Sequence, residues 1–84
     1  AEVEGVLIEH ETVLEAAIVG QLDEQGIMRP VAFVVNAPDS PASADALAAH
    51  CRDRLAGYKR PKRYEFVDGL PKTATGKIQR FKLR

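Results

Sequence analysis

A lysine closing the run Thr73-Ala74-Thr75-Gly76-Lys77 is the residue in this 84-residue chain best placed by type and setting to do chemistry. Glycine loosens the backbone and hydroxyl side chains surround it, so the stretch reads as a flexible polar loop facing solvent. An ammonium on such a loop is a compact charge with three donors, able to neutralise oxygens of a phosphate and a carboxylate together and to reach into another body's active site. By the residues alone, one more surface lysine is the plainer reading. They do not make a nucleotide-binding P-loop, which wants Ser or Thr after the lysine and a second glycine five residues before the first. Ile78 and Pro71 stand there instead.

Other chemistries fare worse. His10, His50 and Cys51 lack any paired ligand spacing, and adjacent helical residues point about 100° apart, so no metal site is expected and His50 is read as exposed. No Ser sits in a Gly-x-Ser-x-Gly turn, and Cys51 falls on what should be a buried helix face, which argues against a nucleophile. The single cysteine precludes an internal disulfide and favours a reducing compartment, the cytoplasm by default.

The net charge of zero hides a division along the chain. Residues 1–57 carry ten acids and three bases; residues 58–84 carry nine bases against Glu65 and Asp68, about −7 followed by about +7. Such asymmetry suits either an anionic partner for the C-terminal third or a basic surface balancing the acidic half within one fold. A nucleic acid is the weaker choice of partner, because the chain has only two tyrosines, three phenylalanines and no recognisable binding motif.

The elements that must position these groups follow from periodicity. Val3, Val6, Leu7 and His10 mark one face of a short opening helix whose acids lie near its start. Val13–Gln21 and Met28–Asn36 read as paired strands around the Asp23–Gly26 turn, with Pro30 at a strand start or edge. After a linker over Ala37–Pro41, Ser43 caps a helix with Leu47, Cys51 and Leu55 inward, stopping at Gly57. Arg63–Val67 alternates as a third strand, and a last helical turn should anchor through Ile78 and Phe81. Helices on a sheet of about three strands make one α+β domain over residues 1–84. No apolar run approaches the roughly 20 residues of a membrane span. The acidic start shows no secretory signal, and the missing initiator Met fits an excised fragment.

The closing run Leu70-Pro71-Lys72-Thr73-Ala74-Thr75-Gly76-Lys77-Ile78-Gln79-Arg80-Phe81-Lys82-Leu83-Arg84 resembles the final motif of the acyl-adenylate-forming superfamily: acyl-CoA synthetases, luciferases and peptide-synthetase adenylation domains. Glu2-Val3-Glu4, Ala16-Ala17-Ile18-Val19-Gly20 and Arg29-Pro30-Val31-Ala32-Phe33-Val34 agree in order and spacing, so the resemblance spans nearly the whole chain. Gly57-Tyr58-Lys59-Arg60-Pro61-Lys62 and the ending Ile78–Arg84 are most similar to aryl-CoA ligases of the benzoate type.

The resemblance implies the small, mobile C-terminal lid of a carboxylic acid–CoA ligase. In that family a carboxylate attacks the α-phosphate of ATP, pyrophosphate leaves, and the coenzyme A thiol then displaces AMP, with the lid turning a different face to each step. Lys77 takes the position of the lysine that enters the adenylation site. Tyr58, Arg60 and Lys62 are implied at the nucleotide end of coenzyme A, where a ring can stack on adenine and cations can meet phosphate. Magnesium is expected for the full enzyme and not on this domain. The partners implied are the enzyme's own N-terminal domain and, acting on Lys77, a protein lysine acetyltransferase, since acetylation removes the charge. A carrier-protein phosphopantetheine in place of free coenzyme A is the alternative acceptor. The hinge and the glycine-containing hairpin that the family places upstream are missing, so this piece by itself is not expected to turn over.

Overall fold

The computed structural model describes residues 2–39 and 41–84; Ala1 of the acidic start and Ser40 of the expected linker lie outside the described residues. Helix α1 runs Glu2–Ile8, with Glu2 and Glu4 in the first turn where the helix dipole favours negative charge. It buries Val6 and Leu7 and ends two residues short of His10, which lies in the turn that follows, its N–H bonded to Leu7 O at 3.0 Å.

Strand β1 (Val13–Leu22) pairs antiparallel with β2 (Met28–Asn36), Ile18 opposite Ala32, with a bulge between Val13 and Glu15. Strand β3 (Arg63–Phe66) runs parallel to β2, so the order β1-β2-β3 makes β2 the central strand. A parallel pair needs a crossover. Helix α2 (Ala44–Arg52) and a 3-10 turn at Gly57–Lys59 supply it. Ser43 caps α2, its Oγ accepting from Ala46 N–H at 3.1 Å. The helix stops at Arg52 rather than continuing to Gly57, and Leu55 is delivered inward by the turn after it.

Because side chains alternate along a strand, β2 feeds two cores. Ala32 and Val34 face α1 and α2, joining Leu7, Leu47 and Cys51. Val31, Phe33 and Val35 face the other way, onto Ala17, Val19 and Leu70. That second face is covered by the C-terminal segment, through Leu70 with Val67, Ile78 and Leu83 packed against it. The segment carrying Lys77 is therefore a structural layer of the domain.

Phe81 does not anchor inward; it is 65% exposed, and Leu83 takes the inward place beside Ile78. Ile78 bridges Lys72 and Gln79 is non-helical (φ −93°, ψ 77°), so the final 3-10 turn begins only at Arg80 and residues 78 and 81 share no helical face.

Candidate functional site

Lys77 sits on a closed hairpin rather than a flexible loop. Lys72 and Ile78 form an antiparallel bridge, and Gln79 N–H donates to Pro71 O at 2.8 Å. Inside this stem Gly76 N–H reaches Thr73 O at 2.9 Å, Thr73 N–H reaches Lys77 O at 2.8 Å, and Lys77 N–H donates to Thr73 Oγ1 at 3.1 Å. Gly76 takes φ +86°, the left-handed position of a three-residue hairpin loop with a glycine bulge. The backbone of Lys77 is thus pinned twice by Thr73, while its side chain is exposed and its ammonium engages no partner among the described residues.

Much of the surrounding positive charge is spent inside the domain. Lys59 pairs with Glu2 at 2.6 Å, Lys72 with Glu15, and Arg80 with Glu4, so several bases of the C-terminal third are balanced by acids of the opening segments. Arg63 pairs with Glu65 at 2.7 Å. Lys62, Lys77, Lys82 and Arg84 remain without a partner among the described residues. The division of charge read from the sequence is in part an internal balance.

Tyr58 is 80% exposed on the 3-10 turn, with Lys59 Nζ 5.7 Å from its ring centroid. Arg60 is tied to the end of α2: its Nε donates to Leu55 O at 3.0 Å and Nη2 to Arg52 O at 2.9 Å, satisfying carbonyls that a helix end leaves open. Lys62 is exposed, and its backbone N–H joins Pro30 O at 2.8 Å. No hydrogen bond or ion pair links this segment to the Lys77 hairpin among the described residues.

A bidentate pair that the sequence reading missed stands at the foot of the hairpin. Arg80 Nε meets Glu4 Oε2 at 3.0 Å and Nη2 meets Oε1 at 2.5 Å, while Oε2 also accepts the Ile18 N–H at 2.7 Å. Burial works to raise the Glu4 pKa, but the Arg80 guanidinium and the Ile18 N–H together hold it below the usual carboxylate range. Glu4 burdens the same partner in turn, raising Arg80. A contact spanning the whole chain leaves no local sequence signal.

The histidines also differ from expectation. His50 is half-buried, its Nε2–H donating to Val6 O at 2.6 Å, and its ring meets His10 edge-on at 5.1 Å between centroids. His10 Nδ1 lies 3.3 Å from Thr12 N and 2.9 Å from its Oγ1. Among the described residues no group of three or more His, Cys, Asp or Glu is placed to hold a metal ion. Cys51 is fully buried, and burial with the Cys51 contact pushes the Tyr64 phenol up. An open groove of about 730 Å³ between Leu14, Asn36, Pro41 and Phe66 contains neither Lys77 nor any residue of 58–62.

A model of the AMP-binding enzyme C-terminal domain matches residues 2–77. Over 99% of its length the chain is 57% identical to a benzoate–CoA ligase of Thauera aromatica, of which it spans 16%. A solved benzoate CoA ligase from Burkholderia xenovorans superposes with a TM-score of 0.90 at 55% identity, covering 99% of this chain and 17% of that one. An anthranilate CoA ligase solved with anthranoyl-AMP gives 0.91 at 48%, with the same coverage. The chain spans about one sixth of these relatives, and its two helices on a three-stranded mixed sheet are the fold of their matching part. By this match over nearly its full length, the chain belongs to the family of AMP-binding enzyme C-terminal domains.

Proposed function

We propose that the chain is the C-terminal domain of an ATP-dependent carboxylic acid–CoA ligase for benzoate or a related aryl acid, and that Lys77 serves its adenylation step. The observation that carries this reading is an ammonium without a partner among the described residues, on a hairpin fixed by its own backbone hydrogen bonds. A carboxylate oxygen forms a bond to the α-phosphorus of ATP as the bond to pyrophosphate breaks. Negative charge gathers on the oxygens around that phosphorus, and a held cation beside them lowers the barrier without accepting a proton. The hairpin limits the reorganisation needed to place that cation.

Coenzyme A falls to the other segment. Tyr58 offers an open ring for adenine, Lys62 an exposed ammonium for phosphate, and Arg60 both orders the turn and keeps N–H groups beyond its two carbonyl bonds. Magnesium belongs with ATP on the larger domain in this reading. Acetylation of Lys77 by a lysine acetyltransferase would remove the charge that adenylation uses, and its exposure permits the reaction.

The test is Lys77→Ala in the full-length ligase. Pyrophosphate release driven by acid and ATP should fall about 100- to 1,000-fold, while thioester formation from supplied acyl-adenylate changes little. Equal losses in both half-reactions, with the domain folded, would sink the role.

A further inference from the structure

Lys77 carries its charge at the end of a four-carbon stem that engages no partner among the described residues, so the hairpin backbone sets the region the ammonium can reach. Three contacts set that backbone against β1. Lys72 on the first arm pairs with Glu15. Beyond the second arm, Leu83 O accepts from Gln21 Nε2 at 2.9 Å. Between them, Arg80 reaches Glu4, which itself is fastened to the Ile18 N–H of the sheet's edge strand. The last of these differs in kind. A guanidinium gripping a carboxylate at both ends fixes distance and plane together, where an ammonium contact fixes distance alone.

The Glu4 side chain is only 13% exposed and the Arg80 side chain 41%. With Glu4 mostly covered and Arg80 still two-fifths exposed, the attraction is partly offset by lost hydration and partly screened by solvent, so its net stabilisation is small. Its geometry is tightly defined nonetheless, and it joins α1, the edge of β1 and the first residue after the hairpin stem. We infer that the Glu4–Arg80 fork is the positioning device of the Lys77 hairpin, fixing the approach of the ammonium to the reacting phosphate without either residue touching substrate.

This rests on the reading of Lys77 given above. A misplacement on the order of 1 Å can cost a reaction up to about 100-fold, so a loosened foot should register in adenylation rate. Gln at position 4 keeps an oxygen for the Ile18 N–H while removing the charge of the fork, which spares the edge strand.

The experiment uses full-length ligase carrying Glu4→Gln, Arg80→Gln, Arg80→Lys, Lys77→Ala and the Lys77→Ala/Glu4→Gln double change. Glu4→Gln and Arg80→Gln should lower the kcat of adenylation about 10-fold, with KM for ATP and acid and the rate of thioester formation from supplied adenylate within about twofold. Arg80→Lys should recover part of the loss. In the Lys77→Ala background Glu4→Gln should add nothing, because the pair acts through that lysine. Normal adenylation in Glu4→Gln, equal losses in both half-reactions, or an undiminished effect in the Lys77→Ala background would overturn the device. Normal adenylation in Lys77→Ala would instead overturn the reading of Lys77 itself.

Discussion

Thr73 holds Lys77 from both sides of its peptide: the Thr73 N–H donates to Lys77 O at 2.8 Å, and the Thr73 hydroxyl accepts the Lys77 N–H at 3.1 Å. The loop between them closes only if Gly76 stays at φ +86°. A methyl group there would meet nothing within 4 Å, so the cost of Gly76→Ala is backbone strain rather than crowding, about 1–2 kcal/mol. Gly76→Ala should therefore slow adenylation in the intact ligase, with Gly76→Asn intermediate because Asn visits this region more readily. Pyrophosphate release across the three side chains checks the ranking; full activity in Gly76→Ala would mean that the loop's shape is immaterial.

The same design occurs in the β1–β2 turn. Asp23 accepts through Oδ1 from Gln25 and Ile27 N–H, Gly26 takes φ +78°, and Asp23 N–H closes onto Ile27 O. That turn was legible because two long strands flank it. The Lys77 hairpin has only one bridging pair, Lys72 with Ile78, too short to show any period, so the sequence suggests a loose loop. Periodicity located all three strands and the cap at Ser43, since each is local. It could not reveal that the continuous run Val31–Val35 is buried on two faces by different partners, nor that Glu4 meets Arg80 and His50 meets Val6. Those depend on contacts distant in the chain. Lys77 itself was singled out by residue type and resemblance, and the fold adds the rigidity beneath it.

Arg60 and Lys62 should separate on mutation although sequence reading treats them alike. Arg60 donates to the Arg52 carbonyl at the end of α2 and to the Leu55 carbonyl in the turn after it, whereas Lys62 has no side-chain partner among the described residues. Arg60→Ala should destabilise the 84-residue chain by about 1–2 kcal/mol, from two hydrogen bonds with a charged donor. A domain of this size should then lose several degrees of Tm, roughly 4–8 °C per kcal/mol. Lys62→Ala should leave the melting curve in place and raise only the KM for coenzyme A in the full ligase. Identical thermal shifts in the two variants would dissolve the distinction.

Acid should release the Glu4–Arg80 fork at the foot of the Lys77 hairpin. The folded Glu4 carboxyl lies below its ordinary value of 4.5, because the Arg80 and Ile18 donors outweigh its burial. The unfolded chain therefore binds the proton more tightly, and stability from this group rises with pH through the window. Its contribution is complete above about pH 4.5 and disappears as pH falls through the lowered folded pKa. Asp23, held down by the Ile27 N–H and by Arg29, titrates in the same direction, so the informative quantity is a difference between variants. Thermal unfolding of the wild-type chain and Glu4→Gln from neutral pH down to about pH 3 should show a gap that narrows below the ordinary carboxylate range, since glutamine cannot titrate. A gap of constant size across that range would mean that the Arg80 fork does not depend on the Glu4 charge.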